Sequence, residues 1–198
     1  MRDDPDAYEL RTTMTRAGGS LIDAVEGIGK TDGLVALVPD SDWPGSREEW
    51  FLYRFVSVVA GEDTAIADAV ARRAATVCAE KILASPATAE AIERGEPGWR
   101  LPDGLFCEIY QLFFADYVAE FVHAVIAEKV KLVVPALVLA DPSGQIADWV
   151  ADQITAVLPM PCAEKNEHPD DPRSIVELAR DMLQDAVVTA LGLPRVDT

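Results

Sequence analysis

The chain has 198 residues, 49% of them hydrophobic, with 12 Gly and 13 Pro. That composition excludes a disordered tail, a disulfide miniprotein and a collagen-like array, and the length suits one domain with a sizeable core. A formal charge of −17, from 34 acidic and 17 basic side chains, excludes a phosphate-neutralising surface: duplex nucleic acid and anionic membranes would repel such a body.

Helical periodicity dominates the chain. An amphipathic segment spans about 7–16 and is interrupted by Gly18-Gly19. Ser20 and Asp23 then resemble a capping box opening a helix with Leu21, Ile22, Val25 and Ile28 on one face. Leu34 to Val38 reads equally as a strand or a helical turn. Turn residues from Asp40 to Gly45 form a loop. Ser46 with Glu49 caps a helix through Trp50, Phe51, Phe55 and Val58 that Gly61 closes. Asp63 caps the next, with Ile66, Val70, Ala74, Val77 and Ile82 on one stripe. Ser85-Pro86 restarts a short helix, and residues 95–104, rich in Gly and Pro, form a candidate subdomain hinge.

Residues 105–131 make the central helix. Phe106, Tyr110, Phe113, Tyr117 and Phe121 mark one face, and Phe114, Val118, Val122 and Val125 continue around it. A helix apolar over most of its circumference is buried on most sides or shared with a second subunit; Pro135 stops it. Asp141-Pro142 caps a helix burying Ile146, Trp149, Val150, Ile154 and Val157. A loop follows over 159–171. Asp171-Pro172 opens a last helix through Ile175, Leu178, Ala179, Met182, Leu183, Ala186 and Val187, ended by Gly192 and Pro194. The expected architecture is an all-α, single-domain bundle of about six to eight helices around the aromatic-rich helix 105–131.

The opening, Met1-Arg2-Asp3-Asp4-Pro5-Asp6, has neither the basic nor the apolar part of a secretory signal. Cys78, Cys107 and Cys162 are odd in number and widely spaced, which argues against a disulfide framework or a zinc ribbon. Reduced thiols in a cytoplasm are the expectation, with Cys107 a small core hydrophobe. The longest uncharged apolar run, Leu132 to Ala140, is too short to span a bilayer as a helix.

Three strings bear on chemistry. Gly29-Lys30-Thr31 imitates the end of a phosphate-binding loop, but Ala24 stands where the first glycine belongs, and the string reads as a helix terminus. Val138 to Asp141 resembles an apolar run ending in a magnesium ligand and reads better as a cap. Asp116, Glu120 and His123 share one face of the central helix at i, i+4 and i+7. Glu120 to His123 is a Glu-x-x-His unit of the kind dimetal bundles place on two helices, so the trio could present two carboxylates and an imidazole to a divalent transition metal. The competing reading places the trio on the solvent-facing strip or pairs it with arginines such as Arg72 and Arg73. Cys162, Glu164, Glu167 and His168 match no strong zinc spacing and read as a solvated loop.

The sequence therefore points first to a soluble, cytoplasmic, non-enzymatic interaction or regulatory protein. It is expected to be homodimeric through the aromatic helix, with no catalytic residues, no obligate cofactor and room for a basic protein partner. The alternative is a metal- or small-ligand-binding bundle, with the chemistry of an enzyme open to it, centred on Asp116, Glu120 and His123.

Overall fold

A computed structural model describes residues 9–30, 37, 45–61, 66–96, 98–133 and 145–193, and the side chains of all but 125–133 and 145–148 among them. The expectations for Leu34 to Val38 apart from Leu37, for Asp40 to Gly45 apart from Gly45, and for Asp63, the Val125 and Ile146 side chains, Pro135, Val138 to Asp141, Asp141-Pro142 and Pro194 lie outside these. The described residues are all-α, as the periodicity implies: α1 (Leu10–Ile28), α2 (Arg47–Ala60), α3 (Ile66–Leu83), α4 (Pro86–Arg94), α5 (Asp103–Val133), α6 (Gln145–Val157), α7 (Pro161–Glu167), α8 (Ile175–Asp181) and α9 (Leu183–Ala190). Helices α8 and α9 meet at Met182, whose backbone stays right-handed helical. Counted as one interrupted helix, they leave eight among the described residues.

Helix α5 is the axis of the bundle and packs most extensively on α3 and α6. Its aromatic residues are spent inside the chain: Phe106, Tyr110, Phe113, Phe114, Tyr117 and Phe121 are all buried. Tyr110 and Phe113 both meet Phe114 edge-on, with ring centroids 5.0 and 5.4 Å apart, the geometry that the ring quadrupole favours. Val118 is buried as well. The expectation that Phe114 and Val118 form a dimer interface is therefore corrected: α1, α3, α6 and α9 already pack against this helix.

Polar contacts fix the register of α5. Tyr117 donates its hydroxyl to the Ala67 carbonyl at 3.3 Å, the Cys78 thiol donates to the Ile109 carbonyl at 3.6 Å, and Gln111 donates to the Thr155 carbonyl at 3.2 Å. Each uses a carbonyl or side chain of a neighbouring helix, so sliding α5 by one turn would break all three.

Several local expectations change. Gly18-Gly19 does not interrupt α1, and Ser20 lies inside that helix, not at a cap. A Cβ on Gly18 would stand 2.9 Å from Leu183 Cδ1 and 3.1 Å from Phe114 Cζ. The residue is Gly because α5 and α9 approach α1 that closely, and tertiary packing outweighs its low helix propensity. Residues 161–167 form α7 instead of a loop, with Pro161 at its first position, where the missing N–H costs nothing. The helix after it is capped by Ser174 with Glu177 in a reciprocal box, not by Asp171. The Ser46–Glu49 box forms as the sequence implies.

The thiol expectation is also corrected. Cys107 and Cys162 form a disulfide, with Cα atoms 6.2 Å apart across a sequence separation of 55, and Cys78 is the free, buried cysteine. The bridge arises because α7 folds back onto the first turns of α5, a long-range contact that spacing along the chain does not reveal.

Candidate functional site

The face of α5 that carries Asp116, Glu120 and His123 is oriented by the packing of the opposite face. With Phe113, Tyr117 and Phe121 buried, Asp116 and Glu120, each three residues after one of these rings, sit at the edge of the same face, on the flank toward α3. Across that flank, Arg73 Nε lies 3.5 Å from Glu120 Oε1, with both side chains partly exposed. Asp116 is half-buried, and its Oδ2 is sealed from solvent with no hydrogen-bond partner. Burial above all, and then the neighbouring Glu120, push the Asp116 carboxyl above the ordinary aspartate range, while Arg73 and His123 pull the other way. His123 is exposed at the end of the row.

The structure thus brings Asp116 and Glu120 together with Arg73, as the competing sequence reading implied for that arginine, and leaves His123 at the surface. As the side chains stand, no three His, Cys, Asp or Glu among the described residues are gathered closely enough to hold a metal ion. On the α3 side, the Cys78 thiol is pushed up by burial and then by the Asp116 charge, so it stays protonated and a poor nucleophile.

Elsewhere, the expected candidates take structural roles. Gly29 caps the C-terminus of α1: its N–H donates to the Glu26 carbonyl and the Lys30 N–H to the Gly27 carbonyl, so the Gly29-Lys30 string ends a helix instead of opening one around a phosphate. Cys162 is tied up in the disulfide, and His168 Nε2 sits 3.7 Å from Glu164 one turn earlier on α7.

A concave feature elsewhere escaped the sequence reading. The C-terminal turn of α1, the segment from Arg100 to Phe106 and helix α8 enclose an open cleft of 410 Å³. Arg180 closes one side by donating to Asp23 at 2.6 Å and Glu26 at 2.8 Å. No periodic pattern announces this cleft, because its walls come from three segments far apart in the chain. No helix among the described residues is long and apolar enough to cross a membrane. No protein-family model, curated protein or solved structure matches the chain.

Proposed function

We propose that the chain is a non-enzymatic interaction or regulatory protein that associates with a second copy of itself, in keeping with the expectation from the sequence but through a different surface. The observation that supports this reading is on α6, where Trp149 is 62% and Val157 63% exposed, two turns apart, although the apolar spacing predicts both to be inside. Large apolar side chains left in water in this way mark association surfaces, and a twofold axis is the commonest way to cover one. The even negative charge favours a basic protein over nucleic acid as any further partner. A cytoplasmic setting requires the Cys107–Cys162 bridge to persist against reducing thiols; the 5% exposure of Cys107 protects it from one side. Sedimentation equilibrium tests the reading: a dimer is expected at micromolar concentration, and Trp149→Glu should give a monomer with unchanged helicity. A wild type that remains monomeric overturns it.

The second reading, a metal-binding bundle, is favoured by one observation, the buried and unpartnered Oδ2 of Asp116. A divalent transition metal held by Asp116, Glu120 and an inward-turned His123 would satisfy that oxygen. Metal-dependent melting tests it.

A further inference from the structure

We propose that the cleft between α1, the Arg100–Phe106 segment and α8 binds a small apolar monocarboxylate, with Arg100 receiving the carboxylate. Its volume of 410 Å³ falls within the range of roughly 300–1,000 Å³ in which proteins enclose small ligands. The floor is apolar and fixed: Val25, Leu101 and Phe106 are core residues, and Ile175 and Val176 pack against the same core.

The charges around the rim sort into those already spent and those left over. Arg180 is committed to Asp23 and Glu26, Lys30 stands 3.9 Å from the same Glu26, and Glu177 accepts from the N–H and hydroxyl of Ser174. Arg100 is different: it makes no hydrogen bond or ion pair with any of the described residues. In a chain whose carboxylates outnumber its cations two to one, an arginine beside an apolar hollow without a carboxylate partner is a vacancy for one from outside. The side chain is also placed. Its stem runs over Gly29, where a Cβ would meet Arg100 Cγ at 3.4 Å and Cδ at 3.8 Å. Those are ordinary contact distances, so the stem lies against the end of α1 at the edge of the cleft.

The chemistry selects the ligand class. A guanidinium offers a planar fork that matches a single carboxylate, and the floor offers only apolar contact for the rest of the molecule. A polyphosphate or dicarboxylate would bring further charge against Glu26, Asp103 and Glu177 on the same rim. An amine would meet Arg100 and Lys30 at the mouth.

Titration of the full chain with phenylacetate, followed by amide chemical shifts, tests the proposal. Saturable shifts at Leu101, Phe106 and Val176 are expected, with phenylacetamide and acetate each at least about tenfold weaker, since one loses the charge and the other the apolar body. Arg100→Gln, at an exposed position that leaves folding intact, should weaken phenylacetate by about tenfold or more. Val176→Trp should plug the cleft. No saturable shift below about 10 mM phenylacetate, equal binding of the amide, or undiminished binding by Arg100→Gln overturns the proposal.

Discussion

Arg16 Nη2 lies 2.6 Å from Asp68 Oδ1, joining the middle of α1 to the first turn of α3. Asp68 is only 4% exposed, so its charge has exchanged water for this one guanidinium. The neighbouring Ala67 carbonyl receives the Tyr117 hydroxyl, and the three helices α1, α3 and α5 are thereby clasped at one level.

Removing the arginine should therefore cost more than removing the aspartate. Arg16→Met leaves a buried carboxylate without a counter-charge. Full burial would put the loss at 3–5 kcal/mol, and the 38% exposure of the arginine side chain brings the expected value to about 2 kcal/mol. Asp68→Asn should cost less, because an amide is cheaper to bury than an ion. The double variant should recover part of the Arg16→Met loss in urea denaturation. Equal losses from the two single variants would show that the pair contributes packing and little electrostatics.

The Cys107–Cys162 bridge closes a loop spanning a separation of 55 residues. Restricting the unfolded chain by such a loop stabilises the fold by about 4 kcal/mol on the chain-entropy account. Reductant should then lower the melting temperature by about 10 °C for a chain of this length. Cys162→Ser should show the same lowered value with no response to reductant, and Cys78→Ala should keep the full redox response. A melting temperature indifferent to reductant would mean that the sulfurs contact each other without a bond that matters to stability.

The helices themselves were legible in the sequence wherever a local signal sufficed. The Ser46–Glu49 box, the aromatic turns of α5 and the stripe of α3 through Val70, Ala74 and Ile82 each repeat within a few residues, the range over which a helix pattern acts, though Ile66 at the start of that stripe is exposed. What could not be read were effects of distant partners. Cys107 finds Cys162, and Arg100 borders a cleft whose other walls are residues 25–30 and 174–180. The Asp116 row was visible as a spacing, but the Arg73 beside it is 43 residues earlier in the chain, and nothing local states that His123 ends at the surface.

Gly18 illustrates the same limit and supplies a test. Local rules make two adjacent glycines a helix break, yet α1 continues because Leu183 and Phe114 occupy the space that a side chain would need. Gly18→Ala would raise helix propensity by about 1 kcal/mol while forcing a Cβ to 2.9 Å from Leu183. Overpacking of this kind typically costs 1–3 kcal/mol, so a net loss of about 1 kcal/mol is expected. Gly19→Ala, whose Cβ would have 3.6 Å to Leu183, should be neutral or stabilising. A stabilised Gly18→Ala variant would show that α9 yields without penalty.

Asp116 carries the last prediction. Because burial raises its folded-state pKa, the folded chain holds that proton to higher pH than the unfolded chain does. The resulting stabilisation is fully present below the ordinary aspartate pKa of about 3.9 and is lost as pH rises through the raised value. At neutral pH the ionised, half-buried carboxylate is a cost, so metal-free Asp116→Asn should melt higher than wild type at pH 7, and the advantage should vanish in acid. A cation bound there would reverse the order, since the ionised carboxylate becomes the ligand. At a hundredfold excess over its dissociation constant, manganese, iron, cobalt or zinc would stabilise wild type by about 2.7 kcal/mol. Asp116→Asn and His123→Ala should each abolish that shift, and His168→Ala, at the C-terminal cap of α7, should not. If none of the four metals shifts the wild type while Asp116→Asn remains the more stable protein, Asp116, Glu120 and His123 form a strained polar seam between α3 and α5 and no metal site.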